Sequence, residues 1–381
     1  MTTKPLNTLL GLTLQQLNHL VSESGEPAYR ARQLFQALYA DRVEAVDAMT
    51  TLPLDFRQSL TAQSLTVGLP KIENKFTSTD GTVRYLLSFA DGQSVETVWM
   101  PEGDGGEAGD GSEAGDEEVR DDPATETRTW RRATICVSSQ VGCAVDCQFC
   151  LTALLGLKRN LMPGEIVGQV CVVLNDVSSS AKKIGPPEDR INLVFMGMGE
   201  PLLNYDNFMT AVRLLVEGCG IPESRMTVST AGIVPRIQDL GAEPIRPKLA
   251  ISLNASNDET RARIMPIDRK WNLALLTAAA RDFPLRKREQ LTFEYVLLGG
   301  VNDAPEHARE VLDLIRGICA KVNLIAWNPG PDVPFSTPEP ERVLAFQSIL
   351  IAGGIPAFIR KPRGRDIYAA CGQLKRTVSA S

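Results

Sequence analysis

A chain of 381 residues, 43% of them hydrophobic, can bury a large core, and we predict one large domain with a smaller one beside it. The first residues lack the basic start and long apolar run of a secretory signal, and no apolar stretch reaches the length that spans a membrane. We therefore expect a cytoplasmic protein with no membrane partner. The eight cysteines are unevenly spaced, which is typical of metal-binding or catalytic thiols and not of a secreted disulfide scaffold.

The formal net charge of −6 at first argues against a nucleic-acid partner, but it comes from one segment. Residues 102–128 contain 11 acidic and 2 basic residues, which leaves 38 basic and 35 acidic residues in the rest of the chain. The segment is rich in glycine and has almost no apolar side chains to bury, so we predict a disordered surface insertion. The rest of the chain is close to neutral and is compatible with a nucleic-acid partner.

Residues 1–62 contain three helical patterns, LNTLLGLTLQQLNHLV, AYRARQLFQALYADRV and MTTLPLDFRQSL. Such a helical module, here with Arg30 and Arg32 on its second helix, either binds nucleic acid or forms a structural cap, and the pattern alone leaves both open. Residues 63–101 then contain three strand-like segments, LPKIENKF, TVRYLLSF and SVETVWM, separated by Asp-Gly turns. They predict a small antiparallel sheet that leads into the next domain.

Strands alternate with helices in residues 129–355, and a C-terminal segment, 356–381, follows. The predicted strands are ATICVSSQ, INLVFMGMG, RMTVSTAG, KLAISLNA, LTFEYVLL, KVNLIAWN and, in the C-terminal segment, AFIRK. This alternation predicts an α/β domain with a parallel sheet, open or closed. Functional residues of such sheets lie at the carboxyl ends of the strands.

The stretch CAVDCQFC places Cys143, Cys147 and Cys150 in a CxxxCxxC spacing. Three thiolates are one too few for a four-ligand site. They predict either a [4Fe–4S] cluster with one open iron, which can hold a small molecule, or a zinc site completed by Cys136 or Cys371. Zinc is the weaker interpretation, because the two histidines of the chain are distant and lie in helical patterns.

Glycines and compact polar residues follow several predicted strands. The segment GMGEP, residues 197–201, lacks the Lys-Ser/Thr of a phosphate loop, but its glycines allow a ligand to approach the backbone, and Glu200 offers a carboxylate to an ammonium group. Other strand ends carry groups suited to hydroxyl and carboxylate recognition: Ser229, Ser252, Asn254 and Asn328. Each alone is more typical of a cap or a turn, whereas together they predict one binding rim.

The segments CVSSQVGCAVDCQFC, FMGMGEPLLNYD, VSTAGIVP, SLNASND, WNPG and RGRDIYAACGQL resemble, in order and spacing, the RlmN/Cfr family of radical S-adenosylmethionine (SAM) RNA methyltransferases. The resemblance covers nearly the whole chain. It implies a partial, open (β/α)6 radical SAM barrel with an N-terminal helical RNA-binding module and a small antiparallel sheet. Two features depart from the family: Asn254 stands where the family usually has His, and the acidic insertion follows Pro101.

The resemblance also implies roles for individual residues. The cluster ligands are Cys143, Cys147 and Cys150, and the residues that contact SAM are Gly199, Glu200, Ser229, Ser252, Leu253, Asn254 and Asn328. Cys371 carries the methyl group, Cys136 resolves the covalent intermediate and Glu96 is the catalytic base. Three further cysteines match no family position, and we predict that they lie on helices in the core: Cys171, Cys219 and Cys319.

The reaction that the resemblance implies is methyl transfer to carbon 2 of adenosine in 23S rRNA, at the peptidyl transferase centre, and to carbon 2 of the adenosine 3′ to the anticodon in some tRNAs. Carbon 2 is electron-poor and cannot attack the methyl group of SAM as an amine would, so the family uses radical chemistry and two SAM molecules per turnover. The resemblance further implies an electron donor such as flavodoxin, and a monomer. Two alternatives stay open: methylation of adenosine carbon 8, which shares these motifs, and a non-catalytic iron–sulfur RNA-binding protein.

Two basic clusters are candidates for phosphate contacts. The first contains Arg286, Lys287 and Arg288, and the second contains Arg360, Lys361, Arg363 and Arg365. The first is as typical of a solvated surface as of a binding site. The second leads directly into Cys371 and is better placed to bind phosphates beside a target base.

Overall fold

The computed structural model describes residues 7–101, 132–178, 190–329, 333–369 and 372–374. The acidic insertion expected at residues 102–128 and the expected methyl carrier Cys371 lie outside these residues. Within the described ranges, no helix is both long and apolar enough to cross a membrane.

In residues 7–62 the N-terminal module has a short 3-10 helix, Val46–Ala48, and three α-helices, each shorter than its sequence pattern. Their bounds are α1 Leu14–Glu23, α2 Tyr29–Phe35 with a π-helical continuation Gln36–Ala40, and α3 Leu54–Ala62. Thr13 sets the start of α1, because its hydroxyl accepts a hydrogen bond from Gln16 N while the Gln16 side chain accepts one from Thr13 N. The sequence pattern also predicts a helix for the residues just before Thr13, but residues 7–12 are not helical, because the backbone N–H of Leu9 and that of Leu10 bond to the segment after α3.

The next three strands are antiparallel neighbours, as the Asp-Gly turns predict. Their bounds are β1 Lys71–Thr77, β2 Val83–Ser88 and β3 Ser94–Pro101. β3 then pairs antiparallel with β4, Arg132–Cys136. These strands therefore extend the main sheet and do not form a separate small one.

Parallel strands and helices alternate after β4. In chain order the further elements are β5 Gln140–Val141, α4 Leu151–Leu154, β6 Arg159–Asn160, α5 Pro163–Val177, β7 Arg190–Phe195, α6 Tyr205–Glu217, β8 Met226–Thr230, α7 Val234–Ala242, β9 Lys248–Ser252, α8 Asp258–Ile264, α9 Leu273–Asp282, β10 Leu291–Leu297, α10 Pro305–Leu314, β11 Ala320–Ala326, α11 Pro340–Ala352 and β12 Ala357–Ile359. The main sheet has the order β1-β2-β3-β4-β7-β8-β9-β10-β11-β12, and β5 pairs with β6 outside it. All neighbours from β4 to β12 are parallel and are joined through helices, which confirms the predicted open (β/α)6 barrel.

The two faces of the sheet have different surroundings, because successive side chains of a strand point to opposite faces. Thr97 on β3 faces the outer helices, where its hydroxyl donates to the Gln169 side chain on α5 at 2.7 Å. Its neighbour Val98 therefore faces the barrel interior and pairs in register with Cys136 on β4. Glu96, two residues from Val98, lies on the same interior face.

The N-terminal module is packed against α5. Gly164 lies in the first turn of that helix, where an added Cβ atom would come within 2.1 Å of the Leu10 carbonyl oxygen, so only glycine allows this approach. Arg42 continues the contact, since its Nε donates to the Asn175 side chain on α5 at 3.1 Å. The module and the barrel thus share one apolar core.

Two of the three unmatched cysteines are buried as predicted. Cys171 lies on α5, and Cys219 follows α6. The prediction for Cys319 is wrong, because this residue is exposed in the turn before β11. The apolar pattern of α10 runs on past the end of the helix, but Gly317, with φ +78°, turns the chain away.

The C-terminal segment, residues 356–381, continues after β12, and its residues 360–369 connect the two edges of the open sheet. It leaves β12 at one edge and reaches the β1–β2 turn at the other. The bonds run from Gly364 N to the Asp80 carboxylate (2.9 Å), from Ser78 Oγ to the Asp366 carboxylate (2.5 Å) and from Arg363 Nη1 to Pro101 O (3.1 Å). In the part of the chain that the structure describes, the first and last strands of the sheet do not pair with each other. The C-terminal segment links their two edges through these hydrogen bonds instead.

Candidate active site

Residues predicted to bind the cofactor meet at the carboxyl edge of the parallel strands. Gly199 and Glu200 follow β7, Ser229 lies near the end of β8, Ser252 ends β9, and Asn328 follows β11. Because the carboxyl ends of parallel strands share one edge of the sheet, these residues form one rim. The loop with the three cysteines, residues 142–150, follows β5 and is called the cluster loop here.

Hydrogen bonds from three parts of the chain hold the cluster loop and the start of α4. They run from Gln148 N to Ile264 O (2.9 Å), from Trp327 Nε1 to Phe149 O (3.2 Å) and from Leu151 N to Gly372 O (2.8 Å). The base of the loop is tight as well, since a Cβ atom added to Gly142, with φ +80°, would collide with Gly156 O. The loop is thus fixed by residues far apart in the chain.

The electrostatics of the three thiols fit a cationic group. Burial raises the pKa of Cys143 to about 12 and raises that of Cys147 and of Cys150. The charge on Cys150 raises the pKa of the other two further, so the sulfurs lie close enough to repel one another as thiolates. An iron–sulfur cluster supplies the positive charge that holds thiolates together, so these donors suit it.

Among the described residues, no three His, Cys, Asp or Glu side chains are grouped so that they could hold one metal ion. In a [4Fe–4S] cluster each cysteine binds a different iron, so its ligands are spread more widely than those of a single ion. The three thiols of the cluster loop therefore remain candidate ligands for a cluster.

Glu200 lies beneath the rim with 4% of its surface exposed. Its carboxylate accepts hydrogen bonds from Ala231 N at 2.7 Å and from Leu202 N at 3.1 Å. Burial nevertheless raises the pKa of Glu200 to about 7, because desolvation outweighs these hydrogen bonds. A cationic ligand at this point would favour the ionised carboxylate.

Gln140 positions the turn before Glu200, and sequence reasoning did not select it. Its Oε1 accepts a hydrogen bond from Glu200 N at 2.8 Å. Gly199, with φ +98°, passes so close that an added Cβ atom would lie 2.5 Å from the Gln140 Cβ. The available signal in the sequence was the position of Gln140 only three residues before Cys143, and in the structure its amide is fully buried and needs partners.

The rim also carries two hydroxyl groups on neighbouring strands. Ser229 Oγ and Ser252 Oγ lie 3.3 Å apart, and both residues are half-buried. Leu253 is fully buried, and its N–H donates to Glu294 O at 2.9 Å. Asn328 is half-buried beyond β11.

The Asn254 side chain supports the loop after β9. Its backbone is left-handed, with φ +57°, a conformation that asparagine tolerates better than most residues. Its Oδ1 accepts from Val296 N at 2.8 Å, and its Nδ2 lies 3.1 Å from Met265 Sδ. The contact with SAM expected for this residue stays a prediction.

Glu96 and Cys136 lie on the interior face of adjacent strands. Glu96 is fully buried and forms an ion pair with Arg84 on β2, which is also fully buried. The Arg84 guanidinium lies over the Phe76 ring, 4.3 Å from its centre. Cys136 ends β4 and is buried.

The C-terminal segment returns to the cluster loop. Thr152 Oγ1 donates to Leu374 O at 2.7 Å, and Gln373 Nε2 donates to Pro329 O at 3.1 Å. A Cβ atom added to Gly372 would lie 4.0 Å from the Cys150 Cα. Gly372, the residue that follows Cys371 in the chain, therefore lies beside the cluster loop.

The two basic clusters lie in different places. The first is in the turn before β10, at the amino ends of the strands, and Arg286 there donates to Arg246 O at 2.5 Å. The second follows β12, with Lys361 and Arg365 exposed. The second cluster alone is continuous with the chain that reaches the cluster loop.

Two family models match the chain. The Radical SAM superfamily matches residues 137–315, and the ribosomal RNA large subunit methyltransferase N-terminal domain matches residues 7–65. The first covers most of the barrel with the cluster loop, and the second covers the N-terminal module.

Relatives match over nearly their whole length. The chain is 66% identical to a probable dual-specificity RNA methyltransferase RlmN of Koribacter versatilis, over 93% of this chain and 97% of that protein. It is 44% identical to a dual-specificity RNA methyltransferase RlmN of an Anaeromyxobacter strain, over 97% of this chain and 91% of that protein. The crystal structure of a radical SAM methyltransferase from Sphaerobacter thermophilus superposes with a TM-score of 0.85, at 40% identity, over 97% of this chain and 99% of that one. Sequence and fold therefore agree across module and barrel.

Proposed function

Because the chain belongs to the RlmN family of radical SAM RNA methyltransferases, we propose that it methylates carbon 2 of adenosine in 23S rRNA, at the peptidyl transferase centre, and of the adenosine 3′ to the anticodon in some tRNAs. The observation that carries the proposal is the 66% identity over 97% of a dual-specificity relative. As a member of this family the protein is an enzyme that uses a [4Fe–4S] cluster and SAM.

In this proposal the cluster loop and the rim bind the two cofactors. Cys143, Cys147 and Cys150 would hold the cluster, which together with SAM supplies the one-electron chemistry that no side chain offers. Glu200 would accept hydrogen bonds from the SAM ammonium group, for which its buried carboxylate is suited. The remaining contacts would come from Gly199, Ser229, Ser252, Leu253, Asn254 and Asn328.

Three residues of the chain would move the methyl carbon and a proton. The Cys371 sulfur would carry the methyl group to the ring, and Glu96 would take the ring proton. The Cys136 thiolate would then attack the Cys371 sulfur, which forms a disulfide and breaks the sulfur–carbon bond, and the carbon left on the ring would take up a proton to become the methyl group. Support comes from the interior position of Glu96 and Cys136 and from the contact of Gly372 with the cluster loop.

The same proposal extends to the rest of the chain. The N-terminal module, residues 1–62, and the second basic cluster would contact RNA. Residues 63–101 would form the β extension, 129–355 the barrel, and 356–381 the segment with the methyl carrier. A monomer in the cytoplasm would receive electrons from a donor such as flavodoxin, which sedimentation and a reduction assay would check.

One anaerobic experiment tests the function. The protein is loaded with iron and sulfide and mixed with SAM, a reductant and an unmodified 23S rRNA fragment, and the nucleosides are identified by mass spectrometry after digestion. Methyl on carbon 2 of adenosine is the expected product. Methyl on carbon 8 would keep the chemistry but contradict the assigned position.

Two further outcomes would overturn more of the proposal. SAM cleavage without RNA methylation would contradict the assigned substrate. A loaded protein that binds RNA but never cleaves SAM would support a non-catalytic iron–sulfur protein, and colourless zinc-containing protein would contradict the cluster.

A further inference from the structure

A fully buried cation lies beneath the rim, and the proposed mechanism gives it no part. Arg261 is on α8 with none of its side chain exposed. Its Nη1 donates to the Asp268 carboxylate at 3.0 Å, and that side chain is 3% exposed. A buried ion pair often contributes little net stability, so stability alone does not explain this pair.

The other N–H groups of the guanidinium bind backbone oxygens of the rim. Nη2 donates to Ala231 O at 2.7 Å and to Ser252 O at 3.1 Å, and Nε donates to Leu253 O at 3.0 Å. Ala231 directly follows β8, and Ser252 is the last residue of β9. The planar guanidinium of Arg261 therefore fixes the distance between the ends of these two neighbouring strands. An ammonium group on a flexible stem cannot reproduce this fork.

The residue after β8 is held from both sides. Ala231 N donates to Glu200 Oε2 at 2.7 Å, while Ala231 O accepts from Arg261. Arg261 therefore also fixes the group that positions the Glu200 carboxylate, the residue proposed to bind the SAM ammonium.

The helix that carries Arg261 also supports the cluster loop. Ile264 ends α8, and its carbonyl accepts from Gln148 N at 2.9 Å. Cys143 and Cys147 pack against the apolar group that contains Ile264. Arg261 lies three residues before Ile264, on the same side of α8, so its charge is on the side of the helix that supports the cluster loop.

We propose that Arg261 is a positioning residue that aligns the rim for SAM and whose buried positive charge makes the bound cluster easier to reduce. The inference rests on the proposed function, since it assumes that cluster and SAM bind here. Reduction adds negative charge to the cluster, and a fixed cation in a poorly solvated site stabilises that charge. Loss of the cation should therefore make the reduction potential more negative.

The test measures the reduction potential of the loaded protein by spectroelectrochemistry and its SAM affinity by anaerobic calorimetry. Arg261→Gln removes the charge, and we expect a more negative potential. Asp268→Asn leaves the arginine charge uncompensated, and we expect a shift of the opposite sign. Arg261→Lys keeps the charge but loses the fork, so the potential should stay near the wild-type value while SAM binding weakens about tenfold, as expected for loss of one or two hydrogen bonds to a charged group.

Arg246 provides a matched control. It is buried and paired with Glu289 at 2.8 Å, but it precedes β9, at the opposite ends of the strands. Arg246→Gln should lower stability and leave potential and SAM affinity unchanged. Iron content and visible absorbance are recorded for every variant.

Equal potentials for wild type, Arg261→Gln and Asp268→Asn at equal iron content would overturn the electrostatic part. Wild-type SAM affinity in Arg261→Lys would overturn the positioning part, and this variant decides even if Arg261→Gln fails to fold. Wild-type protein that binds neither cluster nor SAM would instead contradict the proposed function.

Discussion

Arg84 and Glu96 form an ion pair between β2 and β3 from which solvent is fully excluded. Removing one partner leaves the other charge buried, which typically costs about 3–5 kcal/mol of unfolding free energy. We expect Arg84→Ala to lose that amount, measured by urea denaturation. The double variant Arg84→Met/Glu96→Met should lose less, because no charge is left unpaired. Equal losses in both variants would show that packing dominates.

Glu96→Gln tests the proposed base without changing the size of the side chain, and because it also leaves the Arg84 charge unpaired, turnover is compared at equal amounts of folded protein. We expect turnover to fall by about 10²- to 10⁴-fold, the usual contribution of a general base, while SAM cleavage continues. Methylated RNA and 5′-deoxyadenosine are quantified in the same reaction. The control is Glu243→Gln, whose carboxylate pairs with Arg213 on α6, outside the barrel interior. Normal methylation by Glu96→Gln would mean that another group removes the proton from the adenine ring.

The two proposed reactive cysteines should fail in different ways. Cys371→Ala should give no methylated RNA, since nothing carries the carbon. Cys136→Ala should accumulate protein covalently linked to RNA, which denaturing gels and mass spectrometry detect. Cys319→Ala is the control, because that residue is exposed in the turn before β11. Free product at the normal rate from Cys136→Ala would contradict the role assigned to this thiol.

Asp80 should make the attachment of the C-terminal segment depend on pH. Partial burial would raise the pKa of Asp80, but hydrogen bonds from Gly364 and Thr82 outweigh it and lower the pKa to about 2. Since the folded value lies below the unfolded one, near 4, this contribution is complete above about pH 4 and is lost as the pH falls through about 2. Asp80 is exposed, so solvent screening limits the contribution to about 1 kcal/mol.

The difference in unfolding free energy between wild type and Asp80→Ala should therefore be constant above about pH 4 and vanish toward pH 2. At neutral pH, hydrogen exchange at residues 364–369 should be faster in the variant. Asp282→Ala, a change at the exposed end of α9, should alter neither measurement. A difference that persists unchanged at pH 2 would mean that the Asp80 charge is not responsible.

Charge reversal separates the two basic clusters. Arg365→Glu should weaken RNA binding and reduce the dependence of the binding constant on salt, because each phosphate contact releases counterions. Lys287→Glu, at the amino ends of the strands, should leave that dependence unchanged. Binding is measured between 50 and 200 mM salt, a range in which such contacts have large effects. Equal slopes for Arg365→Glu and wild type would remove the second cluster from the interface.

The parallel sheet and its rim could be predicted because their signals are local. Apolar strands alternate with helices, and polar residues such as Ser229 and Ser252 come at the strand ends that topology brings together. That the antiparallel strands belong to the same sheet as the barrel could not be predicted, because residues 102–131 separate β3 from β4 in the sequence. Their pairing is seen in the structure, where residues 98–101 of β3 pair antiparallel with residues 133–136 of β4.

Side-chain partners were harder to predict than positions. The pairing of Glu96 with Arg84 depends on the register of β2 and β3, and the bonds of Arg261 depend on how α8 returns over the strand ends. The spacing of residues in the sequence predicts neither the Glu96–Arg84 pair nor the hydrogen bonds of Arg261. The exposed position of Cys319 likewise depends on where α10 ends, and helix ends are the least certain feature of a periodic pattern.

The contacts of the C-terminal segment have a consequence for synthesis of the protein. Gly364 and Asp366 bind the β1–β2 turn, and Gly372 and Leu374 bind the start of α4. The turn and the helix are synthesised long before these four residues, so the bonds cannot form until the end of the chain has been made. A nascent chain still held in the ribosome at β12 cannot form these bonds, because residues 364–374 have not yet left the exit tunnel. The contacts that fasten the β1–β2 turn and the start of α4 to the C-terminal segment are therefore among the last contacts of the fold to form during synthesis.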